Sequence, residues 1–123
     1  MSNQEIQDSN TFPRCVQKVR AWEDRHLPRS KSYIAFDLFI LLGHSAILEL
    51  PLTLKELFNS LNHSERGVRY VLAQFIDDGL CEIIGDEQDR RFRRVVATEL
   101  LRTKLTEYEQ HVMTVFDTLI SAP

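Results

Sequence analysis

Two groups of arginines are the residues of this sequence whose type and spacing could do chemistry. Arg90, Arg91, Arg93 and Arg94 place four guanidinium groups in five positions, with Asp89 beside them. Arg66 and Arg69 stand three apart, preceded by Ser64 and Glu65 and followed by Tyr70. A guanidinium can fork two hydrogen bonds onto a guanine edge or grip a phosphate. Residues three apart share one side of a helix. A carboxylate among arginines would lose out to phosphate unless it orients one of them through a bidentate pair. The chemistry on offer is recognition of a polyanion. The plainer alternatives are a solvated helix face for Arg66 and Arg69, and a charged strand edge that blocks aggregation for the second cluster.

Catalytic patterns find little support. No GxSxG, HExxH, P-loop or GxGxxG string occurs. His26, His44, His63 and His111 are isolated in sequence and read as satisfied polar residues rather than ligands. Cys15 and Cys81 give no CxxC pair, zinc spacing or disulfide framework. They read as small buried hydrophobes, or as redox sensors if one has a depressed pKa. An enzyme would need a cleft that gathers at least two of these scattered residues. The expectation is no enzyme, no cofactor and no metal.

The elements that must position the arginines follow from composition and periodicity. The chain has 123 residues, 43% hydrophobic and 27% charged, which suits one globular domain. Lys and Arg total 15 against 18 Asp and Glu, a formal charge of -3. That balance argues against indiscriminate coating of nucleic acid and leaves local patches open. Met1 to Asn10 is polar, with Glu5 and Asp8, and does not resemble a secretory signal. The longest apolar run, Leu38 to Gly43, is far short of the roughly 18 residues a membrane span requires. A cytoplasmic protein that does not engage a membrane is expected.

Residues 1–10 read as a disordered tail. Thr11 caps a helix to about Leu27, with Pro13 in its first turn and Cys15, Val19, Trp22 and His26 on one face. Pro28 breaks it. A second helix spans about Ser30 to Leu48 and is apolar nearly all round, so it must be covered on more than one side. In so short a chain, a second subunit is expected to supply part of that cover. Thr53 and Glu56 form a T-x-x-E capping box for a short helix that stops near Asn59. Ser64 caps the next helix, Glu65 to about Asp78, with Val68, Leu72, Phe75 and Ile76 inward and Arg66, Arg69, Tyr70 and Ala73 outward. Gly67 would let the backbone come close to a ligand, and Gly79 suits a left-handed C-terminal position. Leu80–Ile84 and Phe92–Ala97 form a hairpin around a polar loop. Thr98 caps a last helix to about Ser121. Its seam of Leu101, Leu105, Tyr108, Val112, Val115 and Leu119 is spaced 4, 3, 4, 3 and 4.

The order is a helix-turn-helix followed by a β wing. The second helix of such a motif lies in a DNA major groove and reads bases near its N-terminus. An arginine-bearing hairpin can enter a minor groove, where the potential is most negative.

From Leu52 to about Leu105 the sequence resembles the MarR family of winged-helix transcriptional regulators. Leu52-Thr53-Leu54-Lys55-Glu56-Leu57 is similar to that family's helix before the turn. Ser64 to Leu80 is similar to its recognition helix, closing on Gly79-Leu80. Asp86 to Thr98 is similar to its wing, with an Asp-x-Arg motif at Asp89-Arg90-Arg91. The resemblance implies that Arg91 enters the minor groove and Asp89 steadies it. The chain departs from the pattern at Ala97-Thr98 and Glu99-Leu100, and it carries one C-terminal helix where the family has two. An effector pocket beside the dimer seam is also implied, with Trp22, Tyr33, Phe36 and Phe39 fitting either such a pocket or the core.

The expected fold is mainly α with a small β hairpin: one winged-helix domain over 11–123. The helix-turn-helix covers about 53–79, the wing about 80–97, and dimerisation helices about 11–48 and 98–121. The expected function is sequence-specific binding of double-stranded DNA by a homodimeric transcriptional regulator, a repressor in its simplest mode, with any small-molecule effector unknown. Ser64, Glu65, Arg66, Gly67, Arg69, Tyr70, Asp89, Arg90, Arg91 and Arg93 are the expected DNA contacts. Trp22, Phe36, Leu105, Tyr108, Val112, Val115 and Leu119 are the expected dimer contacts. The alternative is a winged helix used purely as a protein-interaction or dimerisation module, which has no use for four arginines at a tip.

Overall fold

The computed structural model describes residues 2–85, 88 and 92–121, with the side chains of residues 6–8 outside that description. Thr11 Oγ1 accepts the Arg14 N–H and starts α2 (Phe12–His26), which ends where Leu27 and Pro28 follow. Ser32 Oγ accepts the Ala35 N–H and starts α3 (Tyr33–Leu48). Before both lies α1 (Asn3–Asp8), a helix where a disordered tail is expected. Its cause is a local S-x-x-E signal: Ser2 Oγ accepts the Glu5 N–H, and Glu5 favours the positive end of a first turn.

Leu52–Thr53 forms β1 and Leu54–Ser60 forms α4. Thr53 Oγ1 accepts the Glu56 N–H at 3.1 Å, but Glu56 reaches back to accept from the Thr53 hydroxyl at 2.9 Å rather than from an amide. The helix α5 (Glu65–Asp77) closes on Gly79, whose φ of +75° is open to glycine at no steric cost. The Leu80 N–H bonds the Phe75 carbonyl and the Gly79 N–H that of Ile76, a Schellman ending. The strands β2 (Cys81–Gly85) and β3 (Arg93–Ala97) pair antiparallel, Cys81 opposite Ala97 and Gly85 opposite Arg93. The hairpin is part of a three-stranded sheet of order β1-β3-β2, with Leu52 opposite Val95. Two residues after a proline are too few to show strand alternation in sequence, which is why β1 escapes it.

The last helix, α6 (Glu99–Ile120), is tied to the end of α5. The Thr98 hydroxyl donates to the Gly79 carbonyl at 2.6 Å, and the Thr98 N–H bonds Leu80 O. One core joins α3, α5, the sheet and the start of α6 through Leu38, Phe39, Leu42, Val68, Leu72, Phe75, Val95 and Leu101. Within α3, Ala35, Leu38, Phe39, Leu42, Gly43 and Ala46 are all buried, so the chain itself supplies most of the cover expected from a second subunit. Gly43 makes this possible, since a Cβ there would lie 2.8 Å from Leu105 Cδ2 of the crossing α6.

The seam of α6 is likewise engaged at home. Tyr108 stacks on Trp22 (5.7 Å) and meets the Phe36 ring edge-on, and the Val115 carbonyl accepts from the Cys15 thiol. All seven expected dimer contacts are half-buried by this one chain. The large apolar side chains left exposed at the α2–α6 end are Phe12, Val16, Met113 and Ile120.

Candidate nucleic-acid interface

The amphipathic pattern of α5 decides which residues can face a partner. Val68, Val71, Leu72 and Phe75 are buried, and Val71 takes the inward place expected of Ile76, which is 37% exposed. Glu65, Arg66, Arg69, Tyr70 and Ala73 are exposed, with Tyr70 at 68%. The outward face thus gathers both arginines and the tyrosine in the first turns after the cap. Ser64 Oγ accepts the Gly67 N–H at 3.1 Å, so the hydroxyl is committed as acceptor and keeps its proton to donate. The other early N–H groups of α5 remain suited to an anion.

Arg69 is held in a defined pose. Its Nη2 lies 2.8 Å and its Nε 3.2 Å from Glu65 Oε1, and the guanidinium sits 4.6 Å over the Phe58 ring of α4. Both ion-pair partners are exposed, so the pair adds little to stability. Its effect is to present the guanidinium beside the turn. Arg66 makes no such pair among the described residues.

Gly67 is a correction to the sequence reading. It is half-buried, and a Cβ there would lie 2.8 Å from Ile34 Cδ1 of α3 and 3.1 Å from Ser64 Oγ. The missing side chain lets α5 approach α3; it does not open the outward face.

The hairpin follows directly from the C-terminal end of α5, β2 starting at Cys81. Arg93 is exposed on β3. Arg94 points the other way, as strand alternation requires, and donates to the Pro51 carbonyl at 3.3 Å. Asp89, Arg90 and Arg91 lie outside the described residues. The expected roles of Asp89 and Arg91 therefore stand on the sequence.

Sequence reasoning missed two contacts that hold α5 from behind. His63, one residue before the cap, has its Nε2 2.6 Å from Asp37 Oδ2 of α3. Asp78, which caps the other end, receives both Nε (3.2 Å) and Nη2 (3.4 Å) of Arg29. These pairs join residues 26 and 49 positions apart, and no local pattern signals such a pairing.

The other candidate groups settle elsewhere. Cys15 and Cys81 are buried free thiols. Burial, reinforced by the Glu82 carboxylate, pushes the Cys81 thiol up to about 12, so it is protonated at neutral pH. His26 and His111 both lie against Trp22, and no three His, Cys, Asp or Glu converge among the described residues. Glu23 is buried, and it accepts from the Tyr108 hydroxyl at 2.6 Å and from Arg20 at 3.3 Å. Burial, then that hydrogen bond and charge, raise the Tyr108 phenol well above its ordinary range. Phe39 belongs to the core, whereas Tyr33 and Phe36 line a cleft of about 500 Å³ between α2 and α3. No described helix is long and apolar enough to cross a membrane.

A helix-turn-helix followed by an antiparallel hairpin, with one long helix packed behind, is a winged-helix fold. Compared by sequence, the chain matches no family model and no curated protein. Compared by structure, it resembles solved regulators of the MarR family. A mutant of S. aureus MepR bound to an oligodeoxyribonucleotide superposes with a TM-score of 0.71 at 16% identity, covering 91% of this chain and 80% of that one. RV1404 from Mycobacterium tuberculosis gives 0.70 at 13% identity, covering 98% and 77%. The heme sensor PefR from Streptococcus agalactiae, in complex with heme, gives 0.65 at 15% identity, covering 99% and 82%. The chain has the winged-helix fold of these proteins.

Proposed function

We propose that this protein is a sequence-specific, double-stranded-DNA-binding transcriptional regulator that acts as a homodimer in the cytoplasm, with repression by occlusion as its simplest mode. The observation that carries this reading is the outward face of α5, where Arg66, Arg69 and Tyr70 stand exposed just past a capped helix start. Each subunit places Glu65–Tyr70 in a major groove. Arg66 or Arg69 forks onto a guanine edge, and phosphate contacts from Ser64, Arg90 and Arg93 supply much of the affinity. Arg91, oriented by Asp89, enters the adjacent minor groove. Gly67 and Arg94 take no part, because one faces α3 and the other is turned to Pro51.

Two subunits pair through the terminal helices, which doubles the contacts over two half-sites about one helical turn apart. Phe12, Val16, Met113 and Ile120, exposed on α2 and α6, support this end of the molecule as the contact. The half-buried seven of the expected interface then stand behind it as its support. No catalytic step is proposed.

Selection of bound fragments from a randomised duplex library, followed by footprinting, tests the reading. Two protected half-sites related by two-fold symmetry are expected. Arg66→Ala should weaken the selected duplex by about 1–3 kcal/mol and relax one base position. Failure of the wild-type protein to retard any duplex at low salt refutes DNA binding and favours the interaction module.

A further inference from the structure

The two contacts behind α5 share an origin. Arg29 and Asp37 lie eight residues apart, at the α2–α3 turn and on the first turns of α3. Between them Ile34 places its Cδ1 in the notch left by Gly67. The short segment 29–37 therefore meets α5 at three points: its C-terminal cap through Arg29–Asp78, its first turn through Ile34, and the residue before its N-cap through Asp37–His63. Arg29 adopts a left-handed φ of +50°, unusual for a side chain of its kind, while its fork grips both oxygens of Asp78. Both pairs are partly shielded, the side chains being 38% and 38% exposed for Arg29–Asp78 and 22% and 49% for His63–Asp37.

We propose that Arg29, Asp78, Asp37 and His63 are positioning residues that set the inclination of the recognition helix in the groove, and thereby its sequence discrimination. This rests on the DNA-binding reading above. Partly exposed ion pairs contribute little to global stability. Their geometric effect is larger, because a helix pinned at both ends and notched in its first turn is held against roll and tilt on α3. Base readout depends on forks placed to a fraction of an ångström, whereas phosphate attraction tolerates displacement. Releasing one end should therefore cost discrimination and spare both fold and non-specific affinity.

The test compares affinity for the duplex that the wild-type protein enriches most with affinity for a random-sequence duplex of equal length. Arg29→Asn keeps a residue that tolerates the left-handed backbone, and Asp78→Asn keeps the shape of the cap. Asp37→Asn removes the carboxylate at the other end, and His63→Gln removes the ring that meets it. Each should lower the selected-to-random ratio about 5- to 150-fold, the range of one mismatched base pair. Random-duplex affinity and the urea midpoint should stay close to wild type.

The exchange of Arg29→Asp with Asp78→Arg restores the pair with its charges reversed and should recover most of the ratio. Asp tolerates the left-handed backbone, and an arginine suits a helix C-terminus. An unchanged ratio in the single variants overturns the proposal. So does an exchange that fails to recover, or a ratio that falls only in step with random affinity and the urea midpoint. A wild-type protein that enriches no duplex instead refutes DNA binding itself, and the proposal falls with it.

Discussion

Replacing Gly67 with alanine should expose how closely α5 leans on α3. Alanine in a helix interior gains about 1 kcal/mol over glycine. Against that, the new Cβ would lie 2.8 Å from Ile34 Cδ1 and 3.1 Å from Ser64 Oγ, both nearer than real Cβ contacts allow or tolerate well. Overpacking of this kind costs about 1–3 kcal/mol. The net for Gly67→Ala is then from about zero to about 2 kcal/mol of destabilisation. Ile34→Val deletes the obstructing Cδ1 and by itself costs about 0.5–1.5 kcal/mol. In the double variant the nearer obstruction is gone, Ser64 Oγ alone remains at 3.1 Å, and the helix gain persists, so the sum should return near wild type.

Urea unfolding of the four proteins at one fixed protomer concentration measures the cycle, the concentration being held because any self-association contributes to apparent stability. The coupling equals the overpacking relieved and should be favourable by about 1–3 kcal/mol, whereas independent sites add to within about 0.5 kcal/mol. Additivity would refute the packing argument. So would a Gly67→Ala variant that is simply more stable. A Gly67 facing the duplex predicts that second pattern, together with a loss of DNA affinity that Ile34→Val leaves untouched.

Other perturbations read other parts of the molecule. The Cys81 thiol ionises near 9.0 when unfolded, and burial with the Glu82 carboxylate pushes it up to about 12 in the fold. Its contribution is therefore fully present below pH 9 and lost as pH rises towards 12, and Cys81→Ser should flatten that alkaline decline in urea titrations. In the native protein at pH 8, iodoacetamide should label neither Cys81 nor Cys15 until urea unfolds the chain. Tyr108→Phe removes a donor from the buried Glu23 carboxylate and should cost about 1–3 kcal/mol in the same assay. Gly79→Ala meets no neighbour within 4 Å, so its cost is the left-handed backbone alone, about 1–2 kcal/mol, and Gly79→Asn should cost less. Ile120→Asp with Met113→Glu should shift sedimentation towards monomer while leaving the circular dichroism of the fold unchanged.

Much of this architecture is legible in the sequence because its signals are local. Caps at Thr11, Ser64 and Thr98 stand one residue before helices α2, α5 and α6, and Gly79 sits where α5 turns out. The outward set of Arg66, Arg69, Tyr70 and Ala73 follows from a helical period anchored on Val68, Leu72 and Phe75. Ser2 and Glu5 carry the same kind of signal for α1 and were readable by the same rule. What escapes is direction. A glycine declares that a side chain is missing but not which neighbour fills the space, so Gly67 reads equally well as facing DNA or facing Ile34. Long-range contacts such as Asp37–His63 leave no trace at any spacing a helix or strand period would reveal.

The α6 seam shows the same ambiguity in its hardest form. A 4-3-4-3-4 spacing states that one stripe of a helix must be covered, and Leu101 and Leu105 are apolar whether the cover is α3 or a second copy. The chain resolves it by distance along α6. Near its start Leu101 is fully buried and Leu105 lies over Gly43, because the wing and α5 have just delivered the helix onto α3. In the middle, Tyr108 is claimed by Trp22 and by the buried Glu23 carboxylate. Beyond Val112 it is α2 that packs alongside, through Cys15 on the Val115 carbonyl and Phe12 on Phe116, and one helix cannot cover a second on two sides. Met113 and Ile120 are left 63% and 80% exposed in consequence. The unmet apolar demand thus falls at the end of the molecule away from α5. A partner joined there would separate two copies of α5 without covering either, as the proposed reading of paired half-sites requires.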